Sequence, residues 1–132
     1  MAIIDKPTDH FETSLYTGTG ATQSITSLDF APDMVWFKGR SVAYNNHIYD
    51  IIRGTTKAVM TNLTNAETTY STALTAFNSN GFTIGDNANV NESSATYASW
   101  NLKAGGTAVS NTDGTITSSV SANTTAGFSI VS

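Results

Sequence analysis

The 132 residues predict an all-β fold, an antiparallel β-sandwich of jelly-roll or lectin-like (concanavalin-like) character. Three observations carry that expectation. Short apolar runs alternate with turn signals along the whole chain, at the spacing typical of sandwiches. Small polar residues are in surplus, with 22 Thr, 15 Ser, 12 Asn and 10 Gly. Cysteine is absent and only 12% of residues are charged, which removes a disulfide framework, a thiolate zinc site and most titratable clusters. The length fits one domain with a core that needs no staples.

Read in order, residues 1–10 form an extended N-terminal arm, because Pro7 turns the chain away from helix. Residues 11–132 form a single sandwich domain. Phe11 to Tyr16 reads as the first strand, broken by Thr17-Gly18-Thr19-Gly20. Gln23 to Thr26 is a short strand, and Leu28 and Phe30 are apolar anchors ahead of Pro32-Asp33. Met34-Val35-Trp36-Phe37-Lys38 is the strongest strand, apolar and aromatic and closed by Gly39. Asn45-Asn46 is a turn between strands at Val42–Tyr44 and His47–Ile52. Lys57 to Met60 is a further short strand, and Asn65-Ala66-Glu67 has the composition for one helical turn. Leu74 to Phe77, Gly81 to Gly85, Ala95 to Lys103, Gly114 to Ser121 and Gly127 to Ser132 complete the strands, the last stopping without a closing turn. The expected core is Trp36, Phe37, Ile51, Phe82, Ile84, Trp100 and Ile116. Gly-Phe-(Ser/Thr)-Ile occurs at Gly81 and at Gly127, too short for a repeat and better read as two strands entering one core.

The net charge of −4, with six scattered basic residues, argues against a nucleic-acid partner. No apolar run approaches the ~20 residues needed to cross a bilayer. The start of the chain lacks a basic head and apolar centre, so a soluble, unprocessed protein is expected.

Tyr16-Thr17-Gly18-Thr19-Gly20, Phe30-Ala31-Pro32-Asp33-Met34-Val35-Trp36-Phe37-Lys38, Tyr49-Asp50-Ile51-Ile52-Arg53-Gly54 and Tyr97-Ala98-Ser99-Trp100-Asn101-Leu102-Lys103-Ala104-Gly105-Gly106 occur in a distinctive order. In these segments the chain resembles a β-sandwich domain found, often in tandem, in tail fibres and other virion proteins of bacteriophages, marine ones especially. The resemblance implies a structural virion component, the N-terminal domain of a tail fibre engaged in attachment and host-surface adhesion. It implies a homotrimer, other virion proteins of tail or capsid as partners, and a chain that continues into further domains. A capsid decoration or head-fibre protein and a carbohydrate-binding module are the alternatives. The resemblance brings no catalytic residues and no cofactor.

The candidate sites are few. His47 and Asp50 invite an acid–base pair, but an offset of three on a strand puts them on opposite faces. No Ser sits in a nucleophile elbow, so no enzyme is expected. Asp86-Asn87-Ala88-Asn89-Val90-Asn91-Glu92 offers oxygen ligands for Ca²⁺, but it departs from the EF-hand spacing and reads better as an Asx-rich loop, so no metal site is expected. Tyr44, Asn45 and Asn46, at a turn, are the candidate surface contact for a ligand such as a host glycan. In the arm, Ile3, Ile4, Lys6, Pro7 and His10 are the candidate residues for docking on a neighbouring subunit or the virion.

Overall fold

The computed structural model describes residues 4–132. A 3₁₀ turn at Pro7–Asp9 precedes β1 (Phe11–Thr17), β2 (Gln23–Ile25), β3 (Met34–Gly39), β4 (His47–Asp50), β5 (Gly54–Met60), β6 (Thr68–Thr69), β7 (Leu74–Asn78) and β8 (Gly81–Ile84). A single helical turn, α1 (Ala88–Asn91), leads to β9 (Thr96–Leu102), β10 (Val109–Asn111), β11 (Ser118–Asn123) and β12 (Phe128–Val131). The fold is an all-β antiparallel sandwich. A six-stranded sheet, β1-β9-β3-β4-β5-β6, packs against a three-stranded sheet, β2-β8-β7, and a second three-stranded sheet, β10-β11-β12, stands beside them.

Strand periodicity decides what lies between the layers. On β3, Val35 and Phe37 are buried while Met34, Trp36 and Lys38 alternate to the other face. The same face of the six-stranded sheet carries Tyr49 and Ala58, which meet Leu74, Phe82 and Ile84 of the opposing sheet together with Ala73 and Val90. Phe37 stands edge-on to Phe82 and to Tyr49, at 5.2 and 6.0 Å between centroids. That geometry suits ring quadrupoles and contributes beyond area burial. Leu28 and Phe30 are buried as well, and so are the polar inner residues Ser14, Ser99 and Asn101 of β1 and β9.

One end of the sandwich is closed by the loop after β1 and by α1. Gly18 extends the β1–β9 ladder through its exchange of backbone hydrogen bonds with Ser94 and Ala95. A Cβ there would lie 2.2 Å from the Glu92 carbonyl oxygen, so the position accepts only glycine without backbone movement. Asn87 caps α1 by accepting from the Asn89 N–H. Asn91, fully buried, then spends its whole amide on the neighbouring loops. Its Oδ1 accepts from Thr19 N–H (2.9 Å) and Gln23 Nε2 (2.7 Å), and its Nδ2 donates to the Ala21 and Gly85 carbonyls (2.6 Å each).

Several sequence expectations need correction. The N-terminal segment is not an extended arm from residue 7 onward: Pro7 occupies the first turn of the 3₁₀ element, and the His10 carbonyl accepts from Lys103 N–H. No strand forms at Val42–Tyr44, where Val42 instead folds back onto Gly39. Residues 65–67 make no helical turn; the chain runs extended into β6. The strand expected from Gly114 starts only at Ser118, because the Asn111 side chain accepts from Asp113 N–H and holds the chain in a bend. Ile116 in that bend is 79% exposed, and Ile51, Trp36 and Trp100 are only half-buried, so four of the seven expected core residues lie outside the core. The two Gly-Phe-x-Ile strands, β8 and β12, belong to different sheets rather than one core.

Replacing Asn91 by Asp would turn two donated hydrogen bonds into contacts between a carboxylate and two carbonyl oxygens in a water-free site. Asn91→Asp is expected to cost ~3–5 kcal/mol at neutral pH. Urea denaturation checks this; burial against two carbonyls raises the new carboxyl's pKa above its unfolded value, so the deficit relative to wild type is expected to narrow as pH falls toward about 4 and to level off below it.

Candidate functional site

The alternation that buries Val35 and Phe37 sends an unusually apolar set to the outer face of the six-stranded sheet. The β1–β9–β3–β4 register aligns Thr13 with Trp100, Trp100 with Trp36, and Trp36 with Ile48, in one row across four strands. The rows above and below bring Phe11, Leu102 and Met34 on one side, and Leu15, Ala98 and Lys38 on the other. Trp36 and Trp100 lie 5.1 Å apart with their rings tilted by 52°. The indole N–H of Trp36 is buried and has no hydrogen-bond partner among the described residues. Phe11 is 46% and Leu15 64% exposed, so the apolar stripe opens to solvent toward β1.

At the opposite flank the face meets the C-terminal sheet. A groove of about 250 Å³ runs between them, bounded by Met34, Ile48 and Val59 on one wall and by Phe128–Val131 on the other. Arg53 bridges it. Its guanidinium pairs with the buried Asp50 carboxylate and donates to the Val131 carbonyl at 3.3 Å. Asp50 also accepts from Ile52 and Arg53 backbone N–H groups, so its charge is fully met within the fold. A larger cleft of about 440 Å³ separates the two units at Asp33, Lys103, Gly106 and Asn123. There Asp33 accepts from Gly106 N–H at 3.2 Å and helps fasten the C-terminal sheet.

The residues singled out from sequence are placed as follows. Ile3 lies outside the described residues, and Ile4 is exposed at 37%. Lys6 is exposed and reaches Asp29 at 2.7 Å and Asp9 at 3.1 Å; these carboxylates, Asp29 foremost, raise its pKa. Pro7 starts the 3₁₀ turn, and His10 Nδ1 contacts Asn123 Nδ2 at 3.2 Å. Lys6, Pro7 and His10 are therefore engaged with their own domain. Tyr44, Asn45 and Asn46 are half-buried. Burial, and then the Glu92 carboxylate, raise the Tyr44 phenol. The two asparagines hold Asn62: Asn46 N–H donates to Asn62 Oδ1, and Asn62 Nδ2 donates to Asn45 Oδ1. The structure does not bring this trio together with the arm residues into one site.

His47 and Asp50 fall on opposite faces of β4. His47 is sealed inside, its Nδ1 3.1 Å from the Tyr49 hydroxyl and its ring 4.7 Å from that of Tyr70, while Asp50 faces the Arg53 groove. Residues 86–92 form the α1 turn, and among the described residues no group of three His, Cys, Asp or Glu is placed to hold a metal ion. The outer-face stripe was not anticipated. Its signal was present in the run Met34–Phe37, which is apolar at both parities and so supplies two apolar faces.

A family model described as Domain of unknown function (DUF7483) matches residues 6–132, and the chain belongs to that family. No curated protein and no solved structure matches the chain.

Burial pushes the His47 imidazole down to about 4. Its unfolded pKa is near 6.5, so between those values the unfolded chain binds a proton that the folded chain refuses. Stability is therefore expected to fall as pH drops from about 6.5 to about 4, by up to roughly 3 kcal/mol at ~1.4 kcal/mol per pKa unit. Urea midpoints measured across that window check this, and in His47→Gln the dependence should flatten.

Proposed function

We propose that this domain is a non-catalytic structural component of a bacteriophage virion, a tail-fibre domain that acts by surface contact in attachment and host adhesion. The observation that supports the reading best is the division of labour between the two faces of the six-stranded sheet. The titratable candidates His47 and Asp50 are spent inside the fold, on Tyr49 and on Arg53. The surface that remains open, from Phe11 and Leu15 to Trp100 and Trp36, offers apolar area rather than reactive groups. Contact area of this kind serves packing between protein subunits. The order of the chain's motifs, which resembles that of virion sandwiches, supports the setting. The partners are other virion proteins and further copies of the chain, with no cofactor and no nucleic acid. A capsid decoration protein would use the same face on the shell.

The half-buried Trp36 and Trp100 favour a second reading, a carbohydrate-binding module that stacks a sugar ring on the outer face. Binding to a glycan array that is lost in Trp100→Ala would select it.

Cryo-electron microscopy of the particle separates the locations. Density for the chain at the tail is the expected result. Density within the capsid lattice would select decoration, and absence from the particle would overturn the virion reading.

A further inference from the structure

The six-stranded sheet has two unlike edges. β6 is two residues long, a blunt edge with little backbone to offer. β1 runs seven residues in unbroken register with β9, with no proline, no lysine and no bulge. Of the further devices that protect a free edge β1 has one, the inward charge of Glu12, and that carboxylate is taken up within the domain by the Asp29 N–H at 3.1 Å.

Which backbone groups face outward follows from the hydrogen bonds at either end of β1. The His10 carbonyl accepts from Lys103 N–H, and Gly18 exchanges bonds with Ala95 and Ser94. Antiparallel ladders alternate, so the even-numbered residues of β1 bond to β9 and the odd-numbered ones turn their N–H and C=O groups to the open side. Thr17 is withdrawn from that set, since its carbonyl accepts from Gln23 Nε2 at 3.2 Å. Phe11, Thr13 and Leu15 remain. All three are exposed, and among the described residues their backbone groups have no partner on the open side. The open edge is thus the five-residue window Phe11–Leu15, centred on Thr13.

That window is self-complementary. If a second copy approaches antiparallel about a two-fold axis at Thr13, Phe11 faces Leu15 of the other copy, Thr13 faces its counterpart, and Leu15 faces Phe11. Two of the large apolar side chains that the domain leaves exposed would cover each other as cross-strand pairs. The threonines at the centre would match, and on the inner side Glu12 would stand opposite Ser14 rather than opposite another carboxylate. Centring the axis on Ser14 instead would set Phe11 against Thr17 and Leu15 against Thr13, leaving both apolar residues mismatched. Each facing pair of outward residues exchanges two hydrogen bonds, so the seam would gain about six backbone hydrogen bonds. The outer-face row Thr13–Trp100–Trp36 would run on across the axis into the second copy.

The geometry points to β1 as an isologous seam: two copies of this chain join their six-stranded sheets through Phe11–Leu15, with Thr13 on the two-fold axis. A two-fold seam differs from the three-fold arrangement that the resemblance to tail fibres implies. It concerns the purified chain alone, so its test is separate from localisation in the particle.

Light scattering coupled to size exclusion should give twice the 13.9 kDa chain mass at micromolar concentrations and above. In Thr13→Pro the outward N–H is removed and the ring blocks the edge, while every bond from β1 to β9 is kept. The variant should keep the wild-type circular dichroism and fall to the mass of one chain. Because the chain has no cysteine, single-cysteine variants read the register directly. Thr13→Cys should oxidise to a reducible covalent dimer, since facing residues lie within disulfide reach. Leu15→Cys should not, its counterpart being roughly 14 Å away at ~3.4 Å per residue along the strands. A monomer at all concentrations, a trimer, a dimer that survives Thr13→Pro, or cross-linking at 15 in preference to 13 would each overturn the seam.

Discussion

The end of the sandwich that joins its two main sheets depends on the side-chain amide of one asparagine. Asn91 sits on α1, yet its four side-chain hydrogen bonds reach Thr19 and Ala21 in the loop after β1, Gln23 on β2, and Gly85 at the end of β8. Its carbonyl also receives Gly20 N–H. Strands β1 and β2 belong to different layers, and the chain must turn between them without regular pairing. Though the loop is largely exposed, its polar groups that turn toward the buried Asn91 need partners there, and one amide with two donors and two acceptor sites meets three backbone groups and the Gln23 side chain at once. Most alternatives that fill the space would lose part of that set. Leu would leave donors and carbonyls unmet, and Asp would present oxygen to oxygen.

From this closure the inner and outer faces of the large sheet follow. Tyr16 donates to the Val90 carbonyl at 2.7 Å and Tyr97 to the Ala88 carbonyl at 2.7 Å, so both rings are drawn inward beneath α1 and stack at 5.3 Å. With Tyr16 and Tyr97 inside, strand parity places Leu15, Ala98 and Trp100 outside. Ser99 and Asn101, polar as they are, must then point inward, where Nδ2 of Asn101 donates to the Glu12 carbonyl and approaches Ser99 Oγ. On β1 and β9 the covered face therefore carries the polar Ser14, Ser99 and Asn101 beside Tyr16 and Tyr97, while Leu15 and Trp100 stand on the open face, a local departure from the common pattern.

Much of the strand pattern was legible because it is local. β1, β2, β3, β7, β8 and β9 are runs of β-branched and aromatic residues bounded by glycine, asparagine or proline, and they form within a residue or two of their expected limits. What was not legible depends on distant partners. α1 has neither the length nor the composition of a helix and exists where Asn87 and Asn91 find their bonds. Met34–Lys38 announces a strand but not its inward face, because both parities are apolar; Tyr97, sixty positions further on in β9, shares the face that Phe37 takes. Tyr44, Asn45 and Asn46 had the composition of an exposed turn, but the amides are held by Asn62 across the β4–β5 hairpin.

The polar inner positions of β1 and β9 also bear on why an open apolar face is compatible with a stable fold. Each large side chain left on the outer face forgoes roughly 1.5–3 kcal/mol of burial, while each polar residue turned inward has to find partners or lose comparable stability. The inner asparagines and His47 nearly meet that requirement: Asn91 does so completely, whereas Asn101 Oδ1 and His47 Nε2 have no partner among the described residues. A chain evolving for isolated stability would exchange Trp100 and Leu15 with Ser99 and Asn101. Keeping the arrangement makes sense where the outer face recovers its burial elsewhere, against another surface. The residues that lower the stability of the single domain are then the ones that give it contact area.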